Sequence, residues 1–140
     1  EQEKLEENLK YEAEKLKTVI LVTMGQLNES LELCKNLLER TEKSENKSQI
    51  TEILLIKSDI LLDLNYLSRD FDEYLKTIEN AKKIIDEEIE TDSYDYKKLS
   101  GYLFYLKGGF LYYNTEHEEA LNFFEQSLEM RESIAKSECV

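Results

Sequence analysis

Three stretches of this 140-residue chain follow one order of residues. They are GQLNESLELCKNLL (25–38), RDFDEYLKTIENAK (69–82) and TEHEEALNFFEQSL (115–128). Each begins with a turn residue and a polar residue. An aromatic residue or Leu follows, then two polar residues, a small or aromatic residue, and Leu. The sixth slot holds Ser30, Tyr74 and Ala120, and the slot after it Leu31, Leu75 and Leu121, with units 44 and 46 residues apart. A repeat of this length is one supersecondary unit that buries its apolar face only by stacking on its neighbours.

The spacing says what the unit is made of. Apolar residues recur every three or four positions ahead of each stretch: Leu9, Leu16, Val19, Ile20 and Leu21; Ile53, Leu54, Ile56, Ile60, Leu61 and Leu64; Leu99, Leu103, Leu106, Phe110 and Leu111. That period belongs to amphipathic helix and not to strand. The chain has no proline and only four glycines, so little interrupts helix. Six helices are predicted, over about 2–24, 27–43, 48–68, 71–91, 94–114 and 117–137, in three units (2–43, 48–91, 94–137) of one domain. Gly25 and Asn114 are expected to close helices in the left-handed conformation. Asp70 with Glu73, and Thr115 with Glu118, have capping-box spacing. EKSENKS (42–48) and ETDSYD (90–95) read as the loops between units. Short breaks inside a unit make its two helices antiparallel neighbours.

Charge narrows the partners. The formal net charge is −13. Phosphate contacts need a basic face, so neither nucleic acid nor an anionic membrane surface is an expected partner. The acidity either steers a basic protein or peptide to the chain or only keeps its surface solvated. No apolar run approaches a membrane span. The opening EQEKLEENLK lacks an initiator Met, a basic n-region and an h-region, so it is not a signal peptide and reads as a piece cut from a longer protein or trimmed by processing; a cytoplasmic location is the expectation from the two unpaired thiols. Cys34 and Cys139 stand far apart with no CxxC spacing, which argues against a disulfide framework or a zinc site. Cys34, among Leu31, Leu33, Leu37 and Leu38, is expected in the core. His117 is the single histidine, and no nucleophile–base pair forms around it by spacing. Glu116, Glu118 and Glu119 fit a helix N-terminus better than a metal. Asp92, Asp95 and Glu90 lack the calcium-loop pattern. No Gly-rich phosphate loop is present. The expectation is no enzyme, no cofactor and no metal.

The third unit carries a family pattern. Counted from Gly101 it supplies Phe104, Gly108, Ala120, Phe124 and Ser127. On these residues the chain resembles the tetratricopeptide repeat (TPR) family. The second unit keeps Phe71, Ile78 and Ala81 but has Leu62 for the usual Gly and Tyr74 for the usual Ala. The first keeps Gly25, Ser30 and Cys34. The period exceeds the family's usual 34 residues and reaches the range of HEAT-type repeats, so lengthened TPR units and a HEAT-like or other α-solenoid are both open. The resemblance implies an all-α protein, a right-handed α-α superhelix of three antiparallel helix pairs.

It also implies a concave groove on the first helix of each pair. The corresponding positions are Glu12, Lys15, Val19, Val22 and Thr23; Ile56, Asp59, Asp63, Tyr66 and Leu67; and Tyr102, Tyr105, Gly109, Tyr112 and Tyr113. The family's grip on a peptide carboxylate would fall on Lys15, Val19, Ile60, Tyr102 and Leu106, where only Lys15 fits. Asp59, Asp63, Tyr66, Tyr102, Tyr105 and Tyr112 are therefore the candidate site for an extended apolar or basic peptide. Tyrosine combines flat apolar area with a polar tip at low rotamer entropy. The alternative for each tyrosine is packing on a neighbouring helix. Three functions are compatible with this groove and its repeat: an interaction scaffold or adaptor, a sensor of a signalling peptide that controls an attached effector domain, and a solenoid that self-associates through its apolar ends.

Overall fold

The structure is a computed structural model that describes residues 1–138; Cys139 lies outside it. The described residues form six α-helices and no strand: α1 (Gln2–Thr23), α2 (Leu27–Ser44), α3 (Lys47–Leu64), α4 (Asp72–Glu88), α5 (Tyr94–Tyr113) and α6 (His117–Glu138). Each helix packs on the next, and α3 also packs on α5. Helix α1 reaches α3 through Tyr11, Lys15 and Asn8. Within the last pair the helices run antiparallel: Gly101 faces Ser127 and Met130, while Gly108 faces Ala120 and Phe124.

The aligned sequence slots share backbone conformation and burial. Gly25, Arg69 and Thr115, which open the three stretches, all take left-handed φ, at 77°, 60° and 64°. Ser30, Tyr74 and Ala120 are each no more than 2% exposed. The next aligned buried slot holds Leu37, Ala81 and Ser127. The aligned leucines differ: Leu31 is half-buried, but Leu75 and Leu121 face outward.

Two helix ends use the same turn. After α1, the Gly25 amide donates to the Val22 carbonyl and the Gln26 amide to that of Leu21. After α5, Thr115 donates to Tyr112 and Glu116 to Leu111. This is the Schellman pattern, which satisfies otherwise free carbonyls and requires a left-handed residue. The left-handed residue after α5 is thus Thr115 and not Asn114, whose φ is −92°. A β-branched residue is strained there. Thr115→Gly is expected to raise stability by about 1 kcal/mol in urea unfolding, and Gly25→Thr to lower it.

The two capping boxes do not form. Phe71 occupies the N-cap position of α4 without a side-chain bond, and Glu73 pairs with Lys57 at 3.4 Å. The Thr115 hydroxyl donates back to the Asn114 carbonyl. Asn46 and Ser93 provide the caps, accepting the amides of Gln49 and Tyr96, both at 3.1 Å. The loop at 42–48 shrinks accordingly, because α2 runs to Ser44 and α3 starts at Lys47. Helix α3 ends at Leu64, short of the expected 68, in a turn over Asn65–Ser68.

Helix α3 is buried on most sides, which is why its apolar positions are nearly continuous: Ile53, Leu55, Ile60 and Leu61 are all 2% exposed or less. One core cluster joins α3, α4 and α5. A second joins α1, α2 and α3, and Leu31, Leu38 and Tyr102 touch both. Cys34 is fully buried, its thiol 3.6 Å from the Ile53 carbonyl and pushed up to about 12 by burial, so it packs as a small hydrophobe. No described helix is long and apolar enough to cross a membrane.

Candidate functional site

Helices α1, α3 and α5 lie side by side, and α3, in the middle, carries three carboxylates along one face. Glu52, Asp59 and Asp63 are spaced seven and four apart, so they stand one above another. Each meets a tyrosine from a neighbouring helix. Tyr11 of α1 donates to Glu52 at 2.6 Å, and Tyr102 of α5 donates to Asp59 at 3.0 Å. The Tyr113 hydroxyl, also on α5, lies beside Asp63.

The three rungs differ in electrostatics. Burial would raise the Glu52 carboxyl, but the Tyr11 hydroxyl and the ammonium groups of Lys98 (2.9 Å) and Lys15 (3.1 Å) outweigh it and hold the group below its ordinary range. Burial raises Asp59; its bond from Tyr102 offsets part of this, and the nearby charge of Asp63 adds to it. Burial also raises Asp63, against the Tyr113 hydroxyl. Glu52 therefore ties three helices together, while Asp59 and Asp63 form an acidic, partly desolvated strip towards the other end.

A group with a depressed folded pKa contributes stability that is complete above its unfolded pKa and is lost as pH falls through the folded value. Glu52→Gln keeps an acceptor for Tyr11 but loses both ion pairs. It is expected to cost about 1–2 kcal/mol near neutral pH. That difference from the parent chain should shrink below the ordinary Glu range and vanish below the folded pKa. Urea unfolding at pH 7 and in steps through the acid range measures it.

The candidate residues separate into two groups. Tyr102 and Asp59 are half-buried and satisfy each other, as a bridge between α3 and α5. Tyr66, Tyr105 and Tyr112 are 43, 49 and 55% exposed, and Asp63 is exposed with them. Tyr66 meets the edge of Tyr113 at 4.8 Å, and the Arg69 guanidinium lies over Tyr66 at 5.3 Å. Arg69 also donates to the Tyr113 carbonyl at 2.9 Å, which pins the α3–α4 turn to the end of α5. Tyr112 rests between Tyr113 and His117, and Tyr105 lies 6.0 Å from Phe124.

Of the other implied groove positions, Val19, Thr23 and Leu67 are exposed, and several of the rest are engaged within the chain. Lys15 pairs with Glu12 and Glu52, and Ile60 and Leu106 are core. Sequence reasoning missed Tyr11 and Glu52. Glu52 lies one heptad before Asp59 on the same helical face, so extending the acidic stripe back by seven would have found it. Among the described residues no group of His, Cys, Asp or Glu side chains is placed to hold a metal ion. Comparisons with models of protein families, with known proteins and with solved structures found no match to this chain.

Proposed function

We propose that this chain is a protein-interaction module, a TPR-like superhelix of three lengthened units, which binds an extended peptide along the face of α1, α3 and α5. The observation that carries the reading is that Tyr66, Tyr105, Tyr112 and Asp63, on α3, α5 and the turn after α3, are all exposed. Each of these tyrosines touches a neighbouring ring on one side and leaves about half of its surface to solvent. Tyrosine faces supply contact area, and the carboxylate selects for positive charge in the ligand. Arg69 lies over Tyr66 within the chain, a guanidinium on a tyrosine ring, and this contact supports positive charge in the ligand. The ligand is thus a segment that alternates apolar residues with Arg or Lys.

Selection from a displayed library of random peptides tests this directly. Enrichment of Arg or Lys together with aromatic or aliphatic residues is expected. Tyr105→Ala combined with Asp63→Lys should then weaken the selected peptides by more than about tenfold while leaving the helical circular dichroism unchanged. Peptides that bind the double variant as tightly as the parent would overturn the assignment of the groove.

A further inference from the structure

Helix α1 is apolar on two opposite sides. Tyr11, Thr18 and Val22 face the rest of the protein. Leu9 and Leu16 each stand two residues earlier, about 200° round the helix. With Leu5, Ala13 and Ile20 they form a stripe in solvent, whose Leu and Ile members are 54–61% exposed. Scattered exposed leucines need no explanation, but a continuous stripe along a helix marks an interaction surface.

The stripe is symmetric about one point. Leu5 and Ile20 are equidistant from the midpoint between Glu12 and Ala13, and so are Leu9 and Leu16. We infer that α1 pairs with α1 of a second copy of this chain, antiparallel, across a two-fold axis at Glu12–Ala13. Leu5 then meets Ile20 of the second copy, Leu9 meets Leu16, and Ala13 lets the backbones approach at the axis. This is the self-complementarity a two-fold interface demands.

Charge supports the same partner. The chain carries −13 in all, yet α1 holds five carboxylates against four lysines, so its own surface is close to neutral. Helix α6, with Leu121 and Leu128 exposed, holds six carboxylates against one Arg and one Lys, and repels a copy of itself. Glu6 and Lys17 lie on one flank of the α1 stripe. The two-fold places Lys17 of one copy within about 3 Å, measured along the axis, of Glu6 in the other. On the other flank Glu12 is neutralised by Lys15 at 2.9 Å. A helix of this length gives a contact about 33 Å long and one helix wide. That is the low end of interface size, so the dimer is expected to dissociate in the micromolar range. It joins two peptide grooves into one bivalent particle, but the inference stands apart from the groove reading.

Sedimentation equilibrium of the chain from about 1 to about 500 µM should show a reversible rise from monomer to dimer. Leu9→Glu with Leu16→Glu should lower the association constant about a hundredfold without loss of helicity, since neither side chain is in the core. Lys17→Glu should weaken the dimer, and adding Glu6→Lys should restore it. In a Cys139→Ser background, Ala13→Cys should form an intermolecular disulfide on oxidation and Gln2→Cys should not. A chain that stays monomeric throughout overturns the inference. So does a dimer lost through Leu128→Glu instead, which indicates a head-to-tail contact, and so does ready crosslinking at Gln2→Cys, which indicates a parallel pair.

Discussion

Tyr74→Ala is expected to destabilise the protein by about 3–5 kcal/mol, the range for deleting a large buried aromatic side chain. Tyr74 is 1% exposed, on the α4 face that meets α3 and α5. Its ring stacks on Phe110 of α5 with centroids 5.2 Å apart and planes 16° from parallel, and meets Phe71 edge-on at 6.4 Å. Phe71 in turn meets Phe110 edge-on at 5.2 Å, so the three rings form one closed cluster. The Tyr74 hydroxyl donates to the Leu106 carbonyl at 2.9 Å in a buried setting. Alanine removes the ring from this cluster and that hydrogen bond together. Tyr74→Phe separates the two losses and should cost only about 1 kcal/mol, because the Leu106 carbonyl belongs to a helix and keeps its backbone partner. Urea unfolding followed at 222 nm gives both values. A Tyr74→Ala chain as stable as the parent would mean that α4 is not held to α5 by this cluster.

Tyr74 also shows what the sequence made legible and what it did not. Its slot was readable as a buried repeat position from its register with Ser30 and Ala120, and all three are buried. The tyrosine looked like a departure from the small residue of the family pattern. In the structure the residue opposite, twelve positions earlier, is Leu62, where the other units have Thr18 and Gly108. Tyr74 sends its ring to Phe110 and its hydroxyl to the Leu106 carbonyl, both on α5, so its bulk fills space toward the next pair. Those contacts lie between units, and a motif read one unit at a time does not contain them.

The helix ends show the same division. Gly25 was legible because glycine has one strong reason to follow a helix. Thr115 was not, because the Schellman hydrogen bonds, and not a local preference of threonine, hold it in a left-handed conformation. Propensity suggested side-chain caps at Asp70 and Thr115. Asp70 accepts only the Asp72 amide, at 3.4 Å, while Asn46 and Ser93, inside segments that composition marks only as polar, cap α3 and α5. At the candidate site the tyrosines and Asp63 were visible by carrying groove positions from unit to unit. The Tyr11–Glu52 rung was not, since it joins residues 41 positions apart and belongs to no repeat slot.

Gly108→Leu is the second large effect expected, with a loss of about 2–4 kcal/mol. A Cβ at Gly108 would stand 2.7 Å from Cε1 of Phe124 and 3.2 Å from the Ala120 carbonyl oxygen. Phe124 is half-buried and can swing outward, but the carbonyl belongs to the α6 backbone and yields only if the whole helix moves. Helix α6 packs on α5 and shares no comparable contact with any other helix, so separation there has nothing to compensate it. Alanine already meets both obstacles, since its methyl is the Cβ that stands against the ring and the carbonyl, but the helix propensity gained over glycine, about 1 kcal/mol, offsets part of the clash. Gly108→Ala should therefore cost more than Gly109→Ala, and Gly108→Leu should be strongly destabilising, whereas both changes at Gly109, whose added Cβ would touch only Leu62 at 3.4 Å, should be mild. Thermal unfolding of the four variants tests the order. Equal effects at 108 and 109 would sink the claim that close approach of α5 and α6, rather than glycine in a helix as such, is what Gly108 provides.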